Sequence, residues 1–239
     1  MMALGEAEAH LHVLRLDKLV DLGEADLFER YGSLLTDAEL ARCRRGLVEK
    51  KRRESLATRA FVRTTLSRYA AVEPHAWRFA ANDHGRPHVE SPTLTEPLEF
   101  NLAHTEGLIV CLVARQPEIG VDVESVRRDA DFLEIAERFF APEECVGLRS
   151  LPEPERRERF YAIWTLKEAY IKARGLGLAI PLDAFWFDIG RNTVMFDHRI
   201  ADDTGAWWFQ RDALSLDHVC AIAMRTSTKT DIAIRVIEA

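Results

Sequence analysis

Three carboxylates and a lysine occur in two short segments whose spacing could bring them to one point. Asp122 and Glu124 lie in Gly120-Val121-Asp122-Val123-Glu124, and Glu168 and Lys172 in Trp164-Thr165-Leu166-Lys167-Glu168-Ala169-Tyr170-Ile171-Lys172. Residues two apart project from one face of an extended strand, so Asp122 and Glu124 stand side by side while Val121 and Val123 bury the other face. On a helix, Trp164, Glu168 and Lys172 recur every fourth residue, which puts a carboxylate and a cation one turn apart under an apolar anchor. Three hard oxygen donors suit Mg²⁺, with phosphate oxygens of a substrate and water completing its octahedron. Asp122, Glu124 and Glu168 are therefore the expected metal ligands.

The elements that must position these residues can be read from periodicity. Residues 11–16 alternate as a strand, Thr36 with Glu39 forms a capping box, and residues 53–69 predict a helix. Strand composition follows at 77–80, 98–102 and 108–114, the last two joined by a tight connection holding Ala103, His104 and Gly107. The order then restarts at Ile119: the carboxylate strand, a helix over 132–140, one opened by Pro142, Glu143 and Glu144, and the motif helix over 158–173, ended by Gly175 and Gly177. Strands are expected again at 185–189, 193–196, 207–211, 219–224 and 232–237. The Pro-Glu-Pro-Glu stretch at 152–155 reads as a connection. Helices followed by antiparallel strands, twice over, predict an α+β fold with halves at 1–117 and 118–239.

With 239 residues, 47% of them hydrophobic, the chain can bury a sizeable core. A formal charge of -7 argues against a nucleic-acid binder driven by its overall field. Local charge differs: Arg42, Arg44, Arg45, Lys50, Lys51, Arg52 and Arg53 surround a single acid, Glu49, and read by themselves as a solvated helix face. Cys43, Cys111, Cys145 and Cys220 have neither zinc spacing nor disulfide density, and a reducing cytoplasm is the expected location. Residues 1–10 are acidic and alanine-rich, unlike an export leader, and no run approaches the roughly 20 apolar residues that cross a bilayer. The remaining histidines show no metal-ligand spacing, and Trp164, Tyr170, Phe139 and Phe140 read as core anchors.

The two motifs together resemble the signature of the Sfp-type 4'-phosphopantetheinyl transferases, Gly-Val-Asp-(Ile/Val)-Glu and then Trp-(Ser/Thr)-x-Lys-Glu-(Ala/Ser)-x-x-Lys. Phe100-Asn101-Leu102-Ala103-His104-Thr105 is similar to the family's Phe-Asn-(Ile/Leu)-Ser-His-(Ser/Thr), Gly85-Arg86-Pro87 to its Gly-Lys-Pro turn, and Arg53 to its early arginine. The resemblance runs from about Arg42 to Pro181. It implies two pseudosymmetric halves with the active site in the cleft between them, and a Mg²⁺-dependent transfer of the 4'-phosphopantetheine arm of coenzyme A. The acceptor it implies is a serine of an apo acyl or peptidyl carrier protein, and the leaving group 3',5'-adenosine bisphosphate.

On this resemblance Asp122, Glu124 and Glu168 hold the metal, Glu168 or a water takes the serine proton, and Lys172 offers a point charge to phosphate. Arg53 and His104 are implied at the 3'-phosphate. By itself, a His beside a tight turn more often caps local backbone. Ala103 stands where the family often has serine, so Thr105 or backbone N–H groups are expected to compensate. Arg86 replaces a lysine and could stack on adenine or fork to phosphate. Arg138, Leu133, Phe139 and Phe140 are the expected carrier-docking segment, and a monomer is expected because one chain supplies both walls of the cleft. Two other readings use the same residues: a Mg²⁺-dependent phosphohydrolase, which leaves His104 and Arg53 without a role, and a non-catalytic nucleotide-binding module, which leaves the three acids without one.

Overall fold

A computed structural model of the chain describes residues 1–19, 21–127, 131–226 and 232–239. Strand β1 (Glu8–Arg15) is followed by helices α1 (Glu24–Tyr31), α2 (Asp37–Arg44) and α3 (Glu49–Leu66). The hairpin β2 (Arg78–Ala81) and β3 (Pro87–Ser91) comes next, then β4 (Glu99–Thr105) and β5 (Leu108–Ala114). The second run comprises β6 (Ile119–Ser125), α4 (Phe132–Phe139), α5 (Pro142–Arg149), α6 (Glu153–Arg174), and the hairpin β7 (Phe185–Asp188) and β8 (Thr193–Phe196). It closes with β9 (Trp207–Ser215), β10 (His218–Arg225) and β11 (Ala233–Glu238).

These elements form an α+β fold of four layers. The first sheet has the order β11-β1-β5-β4 and the second β6-β10-β9. Their facing sides share one core, in which Leu11, Val13, Val110 and Leu112 meet Val121, Val123, Ile222 and Met224. Ala57, Phe61, Val62 and Leu66 of α3 cover the outer face of the first sheet against Ile109, Cys111 and Val113. Leu166, Ala169, Tyr170 and Ala173 of α6 cover the outer face of the second against Phe209, Ala221 and Ala223. Burial on both faces explains why β5 reads as an unbroken apolar run without alternation. It also places both tryptophans of β9: Trp207 sits in the α6 core and Trp208 packs toward the first sheet, so neither is exposed.

Several boundaries differ from expectation. Helix α3 starts at Glu49, so Arg53 lies one turn inside it. Strand β4 runs to Thr105, which makes Ala103 and His104 strand residues; the turn is Glu106-Gly107, with Gly107 at φ +81. Strand β3 carries a weak sequence signal because Pro87 opens it and Pro92 follows closely, and proline disfavours a strand interior. The stretch 152–155 caps and begins α6, since proline in a first helical turn gives up no internal hydrogen bond. Strand β11 does not join its own half: it pairs in parallel with β1, from Glu8↔Ala233 to Val13↔Glu238.

Candidate active site

Gly120 determines how closely α6 approaches β6. A Cβ at this position would stand 2.0 Å from the carbonyl oxygen of Ala169 and 2.5 Å from the amide nitrogen of Ala173, so only glycine lets the helix backbone rest on the strand. Asp122 and Glu124 project from the same strand face and are carried against α6. Lys172 Nζ donates to Asp122 Oδ1 at 2.6 Å and to the Val121 carbonyl at 3.2 Å. The left-handed Gly175 (φ +65) then ends the helix.

The charges around this point are not balanced. Asp122 is buried, and its Oδ2 has no hydrogen-bond partner. Burial raises the Glu168 carboxyl to a pKa of about 7; the nearby charges of Asp122 and Glu124 push it the same way, against the opposing pull of Lys172. Among the described residues, no three or more His, Cys, Asp or Glu side chains converge as a ready-made metal site. Asp122, Glu124 and Glu168 thus crowd one another electrostatically without forming a closed shell. Their chemistry nevertheless fits a divalent cation: three carboxylates, one with an unpartnered buried oxygen, are what a hard metal ion would satisfy.

The first half forms the opposite wall. A cavity of about 370 Å³ lies between the two, lined by Arg86, Pro87, Asn101 and Leu102 on one side and Glu168, Ile171 and Lys172 on the other. A neighbouring cavity of about 410 Å³ shares Pro87 and Leu102 and continues past Phe79, Phe100 and His104 to Lys51, Ser55, Thr58 and Arg59 of α3. His104 is exposed at its edge, and Arg59 Nε is buried without a partner beside it.

The other candidates are placed differently. Arg53 lines a separate cavity on the far flank of α3, with Leu16, Leu19 and Gly107, and its Nη2 donates to the carbonyls of Leu19 and Leu22. The structure does not bring it to His104. Arg86 donates from Nη1 to the Ala173 carbonyl at 2.7 Å and from Nη2 to that of Pro117 at 3.2 Å, so its guanidinium caps the last turn of α6 instead of lying open to a base or phosphate. Thr105 Oγ1 accepts from the Ser125 amide at 3.1 Å. Phe140 is buried and Leu133 and Phe139 are half-buried, while Arg138 lies over the Phe139 ring, so most of the expected docking segment is core.

Two family models match adjoining parts of the chain. One, described as the 4'-phosphopantetheinyl transferase superfamily, matches residues 118–223; the other, described as 4'-phosphopantetheinyl transferase, N-terminal, matches residues 24–117. The 4'-phosphopantetheinyl transferase HetI of Nostoc is 37% identical over 172 residues, which are 72% of this chain and 70% of HetI. The chain belongs to the Sfp-type 4'-phosphopantetheinyl transferase family. Sfp of Bacillus subtilis is 32% identical over 157 residues, 66% of this chain and 67% of its own, and a phosphopantetheinyl transferase of Thraustochytrium is 28% identical over 204 residues, 80% and 70%. The protein is thus an enzyme of the phosphopantetheinyl transferase type.

Two residues of the transferase's motifs went unassigned from sequence. Lys167, next to Glu168, is fully buried; its Nζ donates to the carbonyls of Leu182 and Phe185 and pairs with Glu144 Oε2 at 2.9 Å. Glu144 in turn accepts from the amides of Ala141 and Phe187. Burial pushes the carboxyl up and the ammonium down, while each partner opposes the shift in the other. Asn101 is buried, and its Oδ1 accepts from the Val121 amide at 3.0 Å. The signal available for both was a polar residue inside an apolar run, which predicts a satisfied buried partner without naming it.

Proposed function

We propose that this transferase moves the 4'-phosphopantetheine arm of coenzyme A to a serine of an apo acyl or peptidyl carrier protein, with Mg²⁺, releasing 3',5'-adenosine bisphosphate. The observation that carries the reading is the meeting of Asp122, whose buried Oδ2 has no hydrogen-bond partner, with Lys172 and Glu168 at a cleft walled by both halves. Glu168 or a water takes the serine proton. Asp122 and Glu124, with Glu168, would hold the cation. Bound there, Mg²⁺ supplies charge neutralisation to the pyrophosphate and to the departing oxygen, an effect of several kcal/mol.

The chain's own groups do the rest. Lys172, fixed by Asp122, presents its ammonium at the wall of the smaller cavity and orients a phosphate there. In the larger cavity, His104, Lys51 and Arg59, the last two paired with Glu54 and Glu39, offer N–H donors suited to the 3'-phosphate, and Phe79, Phe100 and Pro87 an apolar wall suited to adenine. Arg53 does not line this cavity, and its contribution is to tie the carbonyls of Leu19 and Leu22 to α3. Arg86 shapes the wall through its two carbonyl contacts. No helix among the described residues is long and apolar enough to cross a membrane, and a cytoplasmic monomer facing a carrier protein is the arrangement proposed.

The test is incubation of the protein with coenzyme A, Mg²⁺ and an apo carrier, read by mass spectrometry of the carrier. Covalent addition of the phosphopantetheine arm is expected. Formation of free 4'-phosphopantetheine and 3',5'-adenosine bisphosphate without modification of the carrier would replace transfer by hydrolysis. At the other end of the substrate, His104→Ala should raise KM for coenzyme A by about tenfold, the loss of one charge-assisted contact, while leaving 3'-dephospho-coenzyme A nearly unaffected.

A further inference from the structure

Among the described residues, strand β6 has a backbone ladder on one side only, with β10. On its other side β4 runs alongside in the same direction, but β4 forms its own ladder with β5. Side chains bridge the gap. Asn101 Oδ1 accepts from the Val121 amide and Thr105 Oγ1 from the Ser125 amide, at 3.0 and 3.1 Å. The acceptors are four residues apart on one strand and the donors four apart on the other, so both bonds fit a single register. They bracket Asp122 and Glu124.

We propose that Asn101 and Thr105 are positioning residues of the transfer reaction, their side-chain oxygens fixing the register between the His104 end of the cleft and the carboxylates of β6. The register is unique on chemical grounds. A slip of two residues would set Ala103, a buried methyl, against one of the two amides and leave a buried donor without an acceptor. Alternate residues of β4 face opposite ways: Leu102 and His104 line the larger cavity, while Asn101 and Thr105 reach β6. One strand therefore locates the nucleotide end of a ligand on one face and the reacting end on the other. A substrate that spans both ends reacts only if the two are in step, and a displacement near 1 Å costs on the order of 10²-fold.

This inference rests on the proposed transfer to a carrier, so the wild-type assay above is its first control; a silent wild type removes both. With an active wild type, the variants are Asn101→Leu, of similar volume without an acceptor, and the pair Thr105→Val and Thr105→Ser. Asn101→Leu should lower kcat by on the order of 10²-fold while calorimetric affinity for 3',5'-adenosine bisphosphate stays within about threefold, because the positioning term is lost and the nucleotide end is intact. Thr105→Val should lose about tenfold in kcat, and Thr105→Ser, which keeps the oxygen, should recover to within about twofold of wild type. Wild-type turnover in both acceptor-free variants, equal impairment of Thr105→Ser and Thr105→Val, or a loss of bisphosphate affinity parallel to kcat would overturn the assignment. Should Asn101→Leu fail to fold, the Thr105 pair decides by itself.

Discussion

Lys167 and Lys172 sit five residues apart on α6, and each faces a carboxylate from another element, yet the two pairs have opposite characters. Around Lys167 every polar group is matched: the ammonium meets two carbonyls and Glu144, and both Glu144 oxygens also accept amides. Around Lys172 the match is incomplete, because Asp122 Oδ2 is buried without a partner and the Glu168 carboxyl is raised by burial and by its acidic neighbours. A satisfied pair can only hold elements together, here α5, α6 and the start of β7. An unsatisfied one has capacity left for a ligand.

The strongest way to break this contrast is at the unsatisfied pair. Asp122→Ala should lower transfer by on the order of 10³-fold, several kcal/mol of transition-state stabilisation. Its thermal midpoint should stay level or rise, since a like charge leaves the cluster. A folded Asp122→Ala protein with wild-type turnover would end the assignment. At the satisfied pair the effect should move to stability: Lys167→Met leaves Glu144 buried and uncompensated, costing about 3–5 kcal/mol in denaturant unfolding. Adding Glu144→Gln should recover part of that loss, and a single variant as stable as wild type would show that the pair contributes little.

Gly120→Ala tests whether the two pairs are coupled through one helix. A methyl driven against the Ala169 carbonyl must push α6 outward, with about 1–3 kcal/mol of overpacking strain. Activity should fall more than stability does, because the reacting groups move while Lys167 remains embedded; equal losses in both would mean the helix shifts as one rigid piece. The smallest effect is expected at Arg86→Ala, which removes two partly exposed contacts to carbonyls and should cost about 1 kcal/mol of stability. A large rise in KM for coenzyme A in that variant would return the guanidinium to the ligand.

Asp122, Glu124, Glu168 and Lys172 were legible because periods of two and four translate directly into shared faces, and the outcome depends on only two elements. Lys167 and Arg86 were not. Which way a long cation turns depends on the carbonyls offered by distant segments: Leu182 and Phe185 for one, Ala173 and Pro117 for the other. Arg53 shows the same limit, since the carbonyls of Leu19 and Leu22 that its guanidinium meets lie outside its own helix. Helices α4 and α5 and the strands of the second half were found near their expected places, each announced by local capping or alternation. The parallel pairing of β11 with β1 had no such signal, because nothing in either strand records a neighbour more than two hundred residues away.

That last pairing bears on how the protein is made. On the ribosome β1 emerges more than two hundred residues before β11, and one of its edges waits for that strand. Throughout synthesis, a strand with one apolar face and unpaired amides and carbonyls is open to any extended segment that passes. The seal is also entropically slow to form, since it closes a loop of more than two hundred residues. A nascent chain stalled before residue 233 should therefore be held by chaperones or pair with its neighbours, although every residue of the catalytic cleft has already been synthesised.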